Sequence, residues 1–120
     1  MRLLKRDQKP VILRERVPLR EPDGTSYEGW SPEGFTLQGN VQPAGGKVMA
    51  EQYGERLGYV LVMYIERSDK ALELLKAFNG ERKGYGAWVY APETAEEPDY
   101  KVVAVKGWRH IVIELERVRS

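Results

Sequence analysis

The chain has 120 residues, 42% of them hydrophobic and 10% aromatic, and its 19 Lys and Arg nearly cancel 18 Asp and Glu. This length supports one hydrophobic core rather than two, and a net charge of +1 provides no strong field for nucleic acid or an anionic membrane. Cysteine is absent, which removes disulfide scaffolds, thiolate metal sites and cysteine nucleophiles together.

The opening Met1-Arg2-Leu3-Leu4-Lys5-Arg6-Asp7 carries charge but no apolar core of a signal peptide. No apolar run approaches the roughly 20 residues of a bilayer span. A soluble, intracellular chain with a single domain over 1–120 is expected. Residues 1–9, basic at Arg2, Lys5, Arg6 and Lys9, read as a flexible N-terminal arm.

From Val11 to Val17 apolar and basic residues alternate loosely between Pro10 and Pro18, as in a strand near an edge. Pro22-Asp23-Gly24 then forms a turn, and the segment to Gly34 reads as irregular, with Tyr27 and Trp30 packing back onto the core. Phe35 to Gln42 alternates cleanly, and Gly39 on its apolar face predicts a bend or bulge. Pro43 to Gly58 is a long excursion, with a Gly45-Gly46 joint and room for one or two helical turns before Gly54.

Tyr59 to Arg67 is apolar on both faces at its centre and predicts a strand covered on both sides. Ser68 caps a helix over Asp69–Phe78, with Ala71, Leu72, Leu75 and Phe78 on its core face and Asn79-Gly80 as its stop. Gly84 to Tyr90 alternates as a further strand, followed by a solvated acidic loop from Ala91 to Pro98. Asp99–Lys106 and Ile111–Val118 form an antiparallel hairpin across Gly107-Trp108-Arg109-His110. The expected fold is mainly β: a small six-stranded antiparallel β-barrel or sandwich over 10–118, with one or two short helices and a long mobile loop over 43–58.

Catalytic chemistry is thinly represented. The single histidine, His110, has no partner in sequence for a metal cluster or a nucleophile–base pair. Glu96-Glu97 with Asp99 reads as a solvated group, and Glu114 with Glu116, two apart on a strand, as the wet side of a sheet. Gly45-Gly46-Lys47 lacks the spacing of a phosphate loop, and Val48 stands where the hydroxyl belongs. A non-enzymatic domain without cofactor or metal is expected. Small barrels also bind single-stranded nucleic acid, and Trp88, Tyr90, Lys101 and Arg82 are the residues for that alternative.

The order of features carries a family resemblance. A turn-rich loop to Trp30 precedes Leu37-Gln38-Gly39-Asn40-Val41-Gln42-Pro43, the Gly45-Gly46 joint and Tyr53-Gly54-Glu55-Arg56. The strands Tyr59–Tyr64, Asp99–Val105 and Ile111–Leu115 complete it. This order resembles the head–tail joining, or head-closure, proteins of tailed bacteriophages and prophages. The resemblance implies a β-barrel whose copies form a ring under the portal and adaptor, close the DNA-filled head and dock the tail. It implies self-association on assembly from isolated subunits that can be monomeric. It further implies contact with portal, adaptor and tail proteins, DNA nearby only in the channel, and a place in the virion neck after assembly in the host cytoplasm. The helix over Asp69–Phe78 departs from the family's shorter link, leaving a stopper and a related neck or tail-completion protein both open. Gly45, Gly46, Lys47, Val48, Met49 and Tyr53 are the candidate protein-interaction loop, with Val48, Met49 and Tyr53 sharing a face that buries on assembly.

Overall fold

A computed structural model of the chain describes residues 8–107 and 109–118. Ten elements follow one another: β1 (Lys9–Arg20), β2 (Ser26–Trp30), β3 (Phe35–Pro43), α1 (Lys47–Tyr53), a 3-10 helix (Gly54–Tyr59), β4 (Val60–Ile65), α2 (Asp69–Asn79), β5 (Tyr85–Trp88), β6 (Tyr100–Gly107) and β7 (Ile111–Arg117). Of the arm expected over 1–9, only Gln8 and Lys9 fall among the described residues, and Lys9 already belongs to β1. Among the described residues, no helix is long and apolar enough to cross a membrane.

The sheet runs β1-β3-β4-β7-β6-β5, and β5 pairs back onto β1, so six antiparallel strands close a barrel. The architecture is therefore a barrel and not a sandwich. Strand alternation fills its interior: Val11 and Leu13 of β1, Met63 and Ile65 of β4, and Ile111, Ile113 and Leu115 of β7 are all at most 2% exposed. A β-bulge between Val102 and Ala104 shifts the β6–β7 register by one residue, and Val105 still reaches the core.

Gly39 marks the barrel's corner. Residues before it pair β3 with β1, and from Asn40 onward β3 pairs with β4. A Cβ there would stand 2.5 Å from Ile65 Cγ2, 2.7 Å from Met63 Cε and 2.9 Å from the Tyr64 carbonyl. Only glycine lets the two strands meet at that distance.

Four expectations change. Pro10 and Pro18 do not bracket the first strand but lie inside it, opposite Gln38 and Glu28. Each sits where β1 has a neighbour on one side only, so the missing N–H leaves no ladder bond unmade. The segment read as irregular before Gly34 contains β2, which pairs with the far half of β1 around the Asp23-Gly24 turn. Thr25 N–H donates to Asp23 Oδ1 at 2.9 Å, and Gly24 takes a φ of 92° that turn geometry demands. Short, exposed and interrupted by Gly29, β2 has little of the alternation that marks a strand.

The third change concerns α2. Ser68 caps it as expected, its Oγ accepting from Ala71 N–H at 3.2 Å. The buried face carries Ala71 and Leu74 with Leu75 and Phe78 beside them, whereas Leu72 is 37% exposed. Positions 71, 74, 75 and 78 follow the i, i+3, i+4, i+7 rule, and 72 lies a quarter-turn away. The helix packs on β6 and β7, and Asn79 Nδ2 ties its end to the Val105 carbonyl at 2.8 Å.

The fourth is β5, whose residues 85 to 88 are buried on both faces although alternation predicted one wet side. Its outer face is covered by other parts of the chain.

Candidate interaction surface

Two segments lie on the outside of the barrel, and each is fastened by polar side chains. The first is the excursion over 43–58. Gly46 (φ 93°) leads into α1 and Gly54 (φ 57°) leads out of it into the 3-10 helix. Both positive angles favour glycine, which explains why the segment is punctuated where it is.

On the barrel beneath, Glu114 and Glu116 face outward beside Val62 and Val60 of β4. The Tyr53 hydroxyl donates to Glu114 Oε1, and Lys106 Nζ lies 2.7 Å from Glu114 Oε2. Arg56 Nε lies 2.8 Å from Glu116 Oε2. The pair of glutamates is thus not the wet side of a sheet: Glu114 is only 2% exposed, because Tyr53 lies over it. Burial, and next the hydrogen bond to Glu114, hold the Tyr53 phenol well above its ordinary pKa. Nothing in the sequence links Tyr53 to Glu114, 61 residues on.

This fastening divides the six candidate loop residues. Gly45, Gly46, Lys47 and Val48 are exposed, Val48 at 75%. Met49 is half-buried and Tyr53 is buried. Val48 and Tyr53 are five residues apart, about 140° around a helix, so they do not share a face. The exposed apolar part of the segment is Val48, joined by Tyr59, the last residue of the 3-10 helix, at 52% exposure.

The second segment is the β1–β2 hairpin. β1 pairs with β3 through Leu13 and with β5 through Glu15; beyond that its only sheet partner among the described residues is β2. Residues 17–30 therefore extend past the barrel with open edges on both sides. One face carries Val17, Leu19 and Tyr27, with Leu19 lying over Gly29, where a Cβ would stand 2.6 Å from Leu19 Cδ1.

The opposite face begins at a ladder of stacked cations and indoles. The Arg14 guanidinium lies 4.9 Å from the Trp88 ring centroid and that of Arg16 lies 4.8 Å from Trp30. The two indoles meet edge to face at 5.9 Å. Trp30 rests on Gly86, whose absent Cβ would be 3.0 Å from its ring. The acidic loop over 91–98 is fastened beside them, and Trp88 Nε1 donates to the Ala95 carbonyl at 2.9 Å. Trp30 Nε1 donates to Glu97 Oε2 at 3.0 Å. Asp99 holds the loop's start by accepting from the backbone N–H groups of Val89, Tyr90 and Ala91 at 2.8, 2.8 and 3.1 Å. The loop is a cover, which is why β5 is buried on both sides.

The residues named for single-strand binding are not brought together as a platform. Trp88 is 2% exposed beneath the loop, and Lys101 Nζ is 3.8 Å from Glu116. Tyr90 is 65% exposed, with Lys9 Nζ 4.7 Å from its ring centroid. Arg82 is exposed at a φ of 56°. His110 borders a shallow apolar depression with Tyr64, Arg109 and Val112; Trp108, its neighbour in the hairpin connection, lies outside the described residues. Among the described residues no three His, Cys, Asp or Glu side chains cluster so as to hold a metal ion. No protein-family model, curated protein or solved structure matches the chain.

Proposed function

We propose that the chain is a structural subunit of the head–tail connector of a phage or prophage, one copy in a ring beneath the portal and adaptor that closes the head and docks the tail. The observation that carries this reading is the hairpin over 17–30. A closed barrel has no strand edges to offer, yet β1 runs out of this one into a two-stranded ribbon with both edges open. Such a ribbon is marginal alone and gains stability when another surface receives it. The outward-facing Val48 and Tyr59 of the excursion provide a further contact region on the same subunit. The resemblance in the order of strands and joints supplies the setting, in which the partners are other copies, portal or adaptor, and tail proteins. The reading assigns no catalysis, cofactor or metal.

The test is to mix the purified chain with portal–adaptor complexes, or with tail-less DNA-filled heads, of the phage or prophage whose genome encodes it. Electron microscopy is expected to show an added ring at the portal vertex, with DNA retained. A folded chain that adds no density to heads or tails refutes the reading. Salt-sensitive binding to single-stranded oligonucleotides would then promote the small-barrel alternative.

A further inference from the structure

The cation–indole ladder is over-built for a structural staple. Each indole N–H is already bonded, Trp88 to the Ala95 carbonyl and Trp30 to Glu97, so both rings are fixed. The rings in turn fix the guanidiniums over them. Neither the Arg14 nor the Arg16 guanidinium has a hydrogen-bond or ion-pair partner among the described residues, and Arg14 Nε is buried with none. Buried polar atoms are normally bonded, so the Arg14 guanidinium carries an unmet donor on a side chain that is itself half-exposed, next to the exposed Arg16. Arg14 and Arg16 alternate on one face of β1, about 7 Å apart along the strand, presenting two planar forks that match carboxylates.

The chain holds the complementary group on the same face. The loop over 91–98 is fixed by Asp99 and Trp88, yet Glu93 and Glu96 are exposed and form no ion pair with a described residue. Ladder and loop lie side by side, bridged by the Trp88–Ala95 and Trp30–Glu97 bonds. One copy's loop on the next copy's ladder is a head-to-tail contact, the kind that repeats around a ring. A polyanion suits it less well, since Glu97 adjoins the ladder and the arginines already occupy the ring faces on which bases would stack.

We propose that a second copy of the chain seats its acidic loop on this ladder, placing the carboxylates of Glu93 and Glu96 on the guanidiniums of Arg14 and Arg16. The inference rests on the proposed function for its setting, the assembly of copies, and names the surface through which they meet.

The experiment is sedimentation of the full chain at low and high salt, with two charge-reversed variants: R14E/R16E and E93R/E96R. The wild-type chain is expected to associate at low salt and to separate at high salt. Each variant alone should associate at least about tenfold more weakly, as for loss of an interface anchor, and an equimolar mixture of the two should recover association. Arg16→Glu alone, at an exposed position, serves if R14E/R16E does not fold. A titration with the synthetic peptide Ala-Pro-Glu-Thr-Ala-Glu-Glu-Pro, followed on the Arg14 Nε–H resonance, reads a carboxylate arriving on the same guanidinium and is expected to shift it. Association that the reversals leave unchanged, or an Arg14 resonance unmoved by the peptide, overturns the proposal. So does an Arg14 response to oligothymidylate or to an unrelated acidic protein in place of the peptide. Rings that R14E/R16E still forms on portal vertices refute this surface and leave the connector reading standing. Ladder-dependent association by a chain that never docks to heads does the reverse.

Discussion

Replacing Tyr53 by Phe removes one oxygen and tests how the excursion is held. The ring and its packing remain, but Glu114, 2% exposed, loses its hydroxyl donor and retains Lys106 at 2.7 Å. A hydrogen bond to a charged group contributes about 1.5–3 kcal/mol, and the partner left without it bears the desolvation cost. We expect a loss of about 2 kcal/mol. At about 3–6 °C per kcal/mol for a domain of this size, the melting temperature falls by about 6–12 °C. Glu114→Leu in the wild-type background should cost a similar amount, because it leaves the Tyr53 hydroxyl buried. The double variant Y53F/E114L removes both partners, while Lys106, 58% exposed, turns to water. It should therefore be at least about 1 kcal/mol more stable than the sum of the two single losses. Urea unfolding of the four proteins measures this coupling directly. Additive losses, or a Tyr53→Phe cost below about 0.5 kcal/mol, would show that the hydroxyl does not fasten the segment, and the account of Glu114 would fall with it.

The same phenol gives a pH dependence. Its pKa is raised in the folded state, so its contribution is complete below the ordinary value of about 10 and is lost as pH climbs from there toward the folded value. Stability should decline across that alkaline window, less steeply in Tyr53→Phe; equal slopes in chemical denaturation would contradict this. Gly39→Ala should cost about 2–3 kcal/mol by overpacking against Ile65 and the Tyr64 carbonyl, while Gly45→Ala, with open space around it, should be neutral or stabilise by up to about 1 kcal/mol. Thermal melts compare the two. Asp99→Ala removes the acceptor for three backbone N–H groups and should destabilise by about 2–4 kcal/mol. It should also shift tryptophan emission to the red as Trp88 meets water, and an unshifted spectrum would show that the loop holds without it.

Strands whose two sides differ, or whose centre is apolar throughout, were legible in the sequence: β3, β4 and the β6–β7 hairpin appear where alternation and turn residues put them. The cap at Ser68 and the corner at Gly39 were legible too, since each rests on one residue's local chemistry. What the sequence hid is what distant segments do to one another. Alternation in β5 promised a wet face, but the Pro-bounded loop folds back over it. Glu114 looked solvated because its cover, Tyr53, lies in a segment whose path no local pattern fixes. The six residues of the candidate loop divide for the same reason: Tyr53 has a partner inside the fold, whereas Val48 faces outward. Conversely, the Trp30–Trp88 ladder was invisible because its members come from three strands, and only barrel closure through β1 and β5 sets them side by side.

β1 is one uninterrupted strand of 12 residues, about 40 Å long at full extension, and its two halves do different work. The first half is a stave of the barrel and the second is the stem of the hairpin. No joint separates them, so the hairpin cannot swing without twisting a barrel wall. A pull on the tip along the strand loads the ladder bonds of β1 to β3 and β5 in shear, all of them together rather than one after another. A neighbour that grips the hairpin therefore grips a wall of the barrel, and a load on the tip is shared by the strands on either side of β1.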